Sequence, residues 1–401
     1  MADTSIPEPV QRFIEYLQIK TVQPTPDYAS CTAYLQRQAL DAGFEFRAIE
    51  FVPGKPVVIL TLPGTSPSLP SIILNSHTDV VPVFEASWTH PPFGAHRVAS
   101  ANGGHRIYAR GTQDMKIVGQ AYLEAMRQLK GAVRRTVHAV FVPDEEIGGH
   151  DGMAKFVESA EFRQLNAGFA LDEGMANPNE ALRVFYGERA PCWIRFVARG
   201  NTGHGSQFIE DTAAEKLLPV IEHMMTFRSE QLQVFRRPRA DGSPCTLGDV
   251  TSTNLTLLQS GVQHNIVPES ASVGFDIRMT PTLDYLRFRR SMEQLAAEHS
   301  VEIEFVQFWD DNTMTDTSAE SGFWVAFERV LEARQVPFAR EIFPAATDSR
   351  YLRRAGVPAL GVTPLVNAPI LLHDHNEYVT EKQFVDAIGF YTDVVSALAN
   401  A

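Results

Sequence analysis

Cysteine is scarce. The 401 residues hold three, Cys31, Cys192 and Cys245, too few and too scattered for a disulfide framework or a CxxC metal site. Buried or surface thiols are the expected role. Basic residues are outnumbered: 35 Lys and Arg against 48 Asp and Glu leave a formal net charge of −13, which speaks against nucleic acid or an anionic membrane as partner. The one basic cluster, "RRPR" at Arg236 to Arg239, reads as an exposed loop. No apolar run approaches bilayer length, and the opening "MADTSIPEPVQRF" has no basic stretch leading into an apolar one, so a cytoplasmic address is the expectation. The rest of the composition, 44% hydrophobic and 21% charged, is that of a globular chain with room for two or three domains.

Helix and strand signals alternate along the chain. Val10, Phe13, Ile14 and Leu17 repeat at helical spacing, and "ASCTAYLQRQALDAG" reads as a helix closed by Gly43. "FEFRAIEFV", "PVVILTL", "SIILNSH" and "RTVHAVFV" read as strands, "MKIVGQAYLEAMRQLK" as a helix with one apolar face, and "GMAKFVESAEF" then "AGFALDEG" as a helix and a strand. This interleaving predicts an α/β sheet with both faces covered. From Cys192 the order becomes strand "CWIRFVARG", helix "DTAAEKLLPVIEHMMTF", strands "STNLTLLQSG" and "ASVGFDIRM", helix "LDYLRFRRSMEQLAAEH" and strand "VEIEFVQF". That is β-α-β-β-α-β, a ferredoxin-like module. Helix "FWVAFERVLEARQV", strand "VPALGVTPL" and a terminal helix follow. The expectation is a domain inserted at 190–308 within a discontinuous one made of 1–189 and 309–401.

Carboxylates gather where strands end. "FVPDEEIGGH" leaves an apolar strand on three consecutive acids, Asp144, Glu145 and Glu146; like charges this close resist joint ionisation unless water screens them or a cation sits among them. "SIILN" finishes in "SHTD", placing His77 and Asp79 on the same side of an extended chain. "ARGTQDMK" leaves Asp114 at the start of a helix, "FALDEG" leaves Asp172 and Glu173 after a strand, and "LLHDHNE" adds His373, His375 and Glu377. Each cluster alone reads best as a solvated turn or a cap. Together, at the exits of separate strands where open α/β sheets build their sites, they form a mixed nitrogen and oxygen donor set suited to Zn²⁺, with Mn²⁺ or Co²⁺ as substitutes. His138 and His150 read as structural or exposed.

"LNSHTDVVP", "YARGTQDMK", "FVPDEEIGG", "ALDEG" and "LLHDHNE" resemble the successive motifs of the co-catalytic zinc metallopeptidase family. That family includes N-acyl-L-amino-acid amidohydrolases, glutamate carboxypeptidase, dipeptidases and succinyl-diaminopimelate desuccinylase. "YLQIKTVQPTPDY", "DTAAEKL" and "PAATDSRYLRRAGVPALG" resemble its aminoacylase branch, and the likeness runs nearly the whole chain. The resemblance implies a zinc-exopeptidase-like mixed sheet flanked by helices, with the inserted module acting as lid and dimerisation domain of a homodimer. It implies two zinc ions bridged by Asp114, one also held by His77 and Glu173, the other by Glu146 and His373, at a separation of roughly 3.5 to 4 Å.

Glu145 would be the general base toward a metal-bridging water. Asp79 would orient His77, and Asp144 would be a supporting group. His204 in "GNTGHGS" would meet the developing oxyanion from the partner subunit. Asn265 and Arg278 match positions that bind the substrate carboxylate, and Arg350 in "TDSR" is a further candidate. The implied reaction is deacylation of N-acyl-L-amino acids, N-acetyl and neutral aliphatic ones such as methionine first. A dipeptidase or carboxypeptidase on the same scaffold is the alternative. A non-catalytic binding protein is disfavoured by retention of Glu145 with all five implied ligands.

Overall fold

Eight strands make up the main sheet of the computed structural model, which describes residues 6–100 and 103–401. In spatial order they are Glu45–Val52, Lys55–Leu62, Val137–Val142, Ser71–His77, Ala167–Asp172, Ala359–Gly361, Leu182–Glu188 and Phe338–Phe343. The centre is parallel: Ser71–His77 runs alongside both Val137–Val142 and Ala167–Asp172, and Ala359–Gly361 continues the parallel set. The outer pairs on the Glu45–Val52 side are antiparallel. Strands Ser71–His77 and Val137–Val142 are buried along their whole length, as continuous apolar runs must be when helices cover both faces. The outermost Glu45–Val52 instead mixes exposed and half-buried positions.

The flanking helices start and stop where local chemistry directs. Helix Tyr28–Ala42 begins where the Asp27 carboxylate accepts the Ser30 amide at 3.0 Å and ends on Gly43 at φ 68°, a left-handed turn that glycine adopts without cost. Helices Lys116–Gln128 and Glu381–Asn400 pack with the Tyr122 and Tyr391 rings 4.6 Å apart. Lys116–Gln128 also lies unusually close to the sheet. A Cβ on Gly119 would fall 2.6 Å from Ser76 Oγ and 2.8 Å from the Phe141 ring, so only glycine permits that approach. The single helix expected over "GMAKFVESAEF" is two, Met153–Glu158 and Ala160–Gln164. Ser159 between them is extended, and its hydroxyl accepts from Phe162 N to start the second. Among the described residues no helix is long and apolar enough to cross a membrane.

The chain divides into two compact units. The first comprises the described residues up to Tyr186 with Thr315–Arg340 and Thr347–Ala401; the second is Gly187–Met314 with Glu341–Ala346. In the second, strands Ala190–Arg199, Ser252–Ser260, Ser270–Met279 and Glu302–Phe308 form an antiparallel sheet in which the chain's order of strands reads 2-3-1-4 across the sheet. Helices Ala213–Phe235 and Tyr285–Glu298 supply the crossovers, each spanning one intervening strand, which is the split β-α-β arrangement. Phe196, Val273, Phe275, Leu217 and Met292 belong to this unit's own apolar core.

Candidate metal centre

Three parallel strands deliver their last residues to one edge of the first unit. His77 ends its strand opposite Val142 in the ladder, so the turn carrying Asp144, Glu145 and Glu146 begins beside it. Asp172 ends the strand on the other side, with Glu173 next. Asp144 turns the chain at φ 63°. Its carboxylate is held there by Tyr28 Oη at 2.6 Å, Gln23 Nε2 at 3.1 Å and Lys55 Nζ at 2.5 Å. A single 3-10 turn, Glu145–Ile147, follows.

Asp79 is buried behind this turn. One carboxylate oxygen accepts the Glu145 amide at 3.1 Å and the other the Glu146 amide at 3.2 Å, with Gln23 Nε2 at 2.9 Å. Its backbone carbonyl, rather than its carboxylate, lies nearest His77: Nδ1 is 2.8 Å from Asp79 O and 3.7 Å from Oδ1. This leaves His77 Nε2 facing the carboxylates. Asp172 works similarly on the neighbouring strand, accepting from Glu173 N at 2.9 Å, Asn75 Nδ2 at 3.0 Å and Ser349 Oγ at 2.7 Å.

The donor atoms converge on Asp114. One of its oxygens is 3.1 Å from His77 Nε2, and the other is 3.1 Å from His373 Nε2. His77 Nε2 is also 3.7 Å from Glu173 Oε2, and His373 Nε2 is 3.1 Å from Glu146 Oε2. Ligand atoms of His77, Glu145 and Glu173, and of His77, Asp114 and Glu146, lie within 4.8 Å of one another. The five residues implied as ligands, and Glu145, are therefore brought together. His373 alone is open, with 57% of its side chain exposed.

Without a cation this cluster is badly compensated. Burial, then the charge of Glu173, pushes Glu145 well above the usual carboxylate range. Burial and Asp114 raise Glu173 likewise, and the same two causes push Glu146 up to about 7. Asp114 resists its own burial and stays low because His373 and His77 donate to it. His373 is pushed up to about 10 by its contacts with Asp114 and Glu146. The Glu146 Oε1 atom is buried with no hydrogen-bond donor, an acceptor that protein groups leave unused. Crowded carboxylates, imidazole nitrogens and a bare oxygen acceptor fit divalent cations of the zinc class.

Sequence reasoning did not find several supporting residues. Gln23 and Tyr28 lie within "YLQIKTVQPTPDY", but that stretch gives them no role, and Lys55 carries no motif signal; they act from a loop, a helix and a neighbouring strand. Glu377 stood among the expected donors of "LLHDHNE", yet it faces the backbone amides of Gly111, Gln113 and Asp114. Asp348 is buried with neither carboxylate oxygen hydrogen-bonded, and its negative charge adds to the burial and the Glu173 charge that raise the proton affinity of Glu145. Arg350 donates to the Gly148 carbonyl at 2.8 Å, where Tyr351 Oη also donates at 2.6 Å. In the second unit, exposed His204 pairs with Ile266 across a short ladder, its Nδ1 2.8 Å from Ser206 Oγ, and Gly205 N donates to Asn265 O at 2.9 Å. Arg278 is paired with Asp276 at 2.9 Å.

The profile of peptidase family M20/M25/M40 matches residues 73–397. The chain is 48% identical over 397 residues to aminoacylase-1 of Mus musculus, covering 98% of this chain and 95% of that one. Aminoacylase-1 of Dictyostelium discoideum is 42% identical over 405 residues, 98% of each. Among solved structures, the M20 family metallo-carboxypeptidase Sso-CP2 from Sulfolobus solfataricus is similar with a TM-score of 0.72 at 16% identity, covering 98% of this chain and all of that one, a likeness of fold.

Proposed function

The chain belongs to peptidase family M20/M25/M40, and from that membership we propose that it is a metal-dependent hydrolase converting N-acyl-L-amino acids to a carboxylate and a free L-amino acid. N-acetyl substrates with neutral aliphatic side chains such as methionine are the expected class. The observation that carries the chemistry is the division of Asp114 between two imidazoles, one oxygen to each at 3.1 Å. A single buried carboxylate so placed is suited to bridge two cations. The substrate class is supported by 48% identity to an aminoacylase-1 over nearly the full length of both chains.

Two zinc ions are proposed, one held by His77, Asp114 and Glu173, the other by Asp114, Glu146 and His373, with Mn²⁺ or Co²⁺ able to substitute. When bound, they supply Lewis-acid polarisation of the scissile carbonyl. Glu145 takes a proton from the attacking water as its oxygen bonds to the acyl carbon, then gives that proton to the amine nitrogen as the C–N bond breaks. A half-buried carboxylate with a raised affinity for protons suits both halves of that exchange. The Asp79 carboxylate, accepting the amides of Glu145 and Glu146, fixes the base against the ligand next to it. His204, reaching in from the partner of a homodimer formed through the second unit, stabilises the oxyanion. Asn265, Arg278 and Arg350 receive the substrate carboxylate.

The test is methionine release from N-acetyl-L-methionine, with methionine dipeptides alongside, by chelator-stripped protein before and after zinc. Restoration by zinc, weak dipeptide cleavage and an inactive Glu145→Ala variant are expected. Cleavage of dipeptides alone moves the enzyme to the peptidase branch, and no cleavage with metal bound contradicts a hydrolytic role.

A further inference from the structure

Asp114 and His373 lie on loops beyond the end of a short antiparallel ladder, His105–Tyr108 against Tyr378–Thr380, yet each places an atom 3.1 Å from the other. Something must set that spacing. Glu377 is buried, four residues beyond His373, and its carboxylate collects donors from the stretch that leads into Asp114. One oxygen accepts Arg110 Nη1 at 2.7 Å and Gly111 N at 3.1 Å; the other accepts Gln113 N at 2.5 Å, Asp114 N at 3.3 Å and Thr112 Oγ1 at 3.3 Å. Nearby amides of one turn, with the Thr112 hydroxyl and an arginine, aimed at one carboxylate form an anion-binding concavity, here filled by the protein itself.

Gln113 ties the same two segments in the other direction. Its amide nitrogen donates to Pro369 O and Tyr378 O, both at 3.1 Å, and its amide oxygen accepts Leu371 N at 3.0 Å. The chain on both sides of His373 is thus stapled to the chain before Asp114. His373 is itself exposed and sits at φ 62°, so its own packing does little to hold it.

We infer that Glu377 and Gln113 are positioning residues that set the spacing of Asp114 and His373 and so govern loading of the metal position these two share with Glu146. The inference rests on the proposed two-metal reading. The other position, formed by His77, Glu173 and the shared Asp114, takes two of its three ligands from strand ends that the staple does not touch, so the staple weighs more on the position that contains His373.

Glu377→Gln keeps the shape but turns one oxygen into an NH₂ group facing N–H donors, whichever way the amide is placed. Gln113→Ala removes the reverse ties while leaving Glu377 intact, and serves should the first variant fold poorly. The measurement is zinc binding to the whole protein by competition with a chromophoric chelator, with thermal unfolding of each metal-free form. Wild type is expected to bind two ions. Each variant is expected to lose about ten- to a hundredfold in affinity at the position with His373, to lose less at the other, and to unfold within a few degrees of wild type. Raising free zinc should then restore methionine release by Glu377→Gln. Two unchanged constants in both variants overturn the inference and leave the two-metal reading standing. Equal loss at both positions overturns it too, since the staple would then be supporting the fold. Absence of stoichiometric zinc in wild type overturns the reading beneath it, and the inference with it.

Discussion

His77, Glu146 and Glu173 reach the metal centre from the exits of parallel strands of the main sheet, while Asp114 and His373 reach it from loops that run on past a short ladder, His105–Tyr108 against Tyr378–Thr380, and are tied further by side chains. The first group inherits its spacing from the ladder: once Ser71–His77 lies between Val137–Val142 and Ala167–Asp172, their exits are fixed a strand apart. The second group lies past the end of its short ladder and needs Glu377 and Gln113 to reach comparable precision. A ladder is redundant and tolerates the loss of one bond, whereas a staple made of two side chains does not. The strand-held half should therefore fail through stability, and the loop-held half through metal affinity.

Perturbations of each half sharpen that contrast. The largest effect belongs to neither scaffold: Glu145→Ala should lower kcat by about 10² to 10⁴ with zinc stoichiometry intact, read by steady-state kinetics on zinc-loaded protein. Gly119→Ala forces a methyl against Ser76 and Phe141, directly behind His77. It should cost up to about 3 kcal/mol in denaturant unfolding. Tyr28→Phe removes both the bond to the Asp144 carboxylate and the one from the Asp144 amide, for about 2 kcal/mol in the same assay. If either change instead strips zinc without altering stability, the strand-held half is not held as described.

The smallest effect is one of pH. His138, buried in the strand next to His77 and 2.8 Å from Thr61 Oγ1, is pushed down to about 4 by burial. Its folded value lies below the ordinary one near 6.5, so the unfolded chain binds the proton first. Stability falls as pH drops below about 6.5 and levels off near 4, amounting to about 1 kcal/mol between pH 7 and 5.5. His138→Asn should flatten that slope in urea titrations at the two pH values.

The same contrast decides what could be read in advance. Buried apolar runs that stop abruptly on acids or histidine made His77, Glu145, Glu146 and Glu173 legible, because strand exits are a one-dimensional feature. The α/β sheet covered by helices followed from the interleaved periodicities, and its mixed strand directions from the family resemblance. Strands Leu182–Glu188 and Phe338–Phe343 escaped, since "LRVFYGE" and "FAREIF" mix charge into short runs. Glu377 was visible as an acid beside two histidines, but whether it faces a cation or a row of amides depends on contacts across more than 260 residues of chain. The Asp79 carboxylate likewise serves the Glu145 and Glu146 amides, which sequence spacing places no nearer than the imidazole it was expected to hold.

The most direct test of the two-cation centre is anomalous diffraction from crystals of the zinc-loaded protein. Two peaks are predicted, each about 2.0 to 2.2 Å from a different oxygen of Asp114, one beside His77 and Glu173 and the other beside Glu146 and His373. A single peak, or two that Asp114 does not join, would contradict the account.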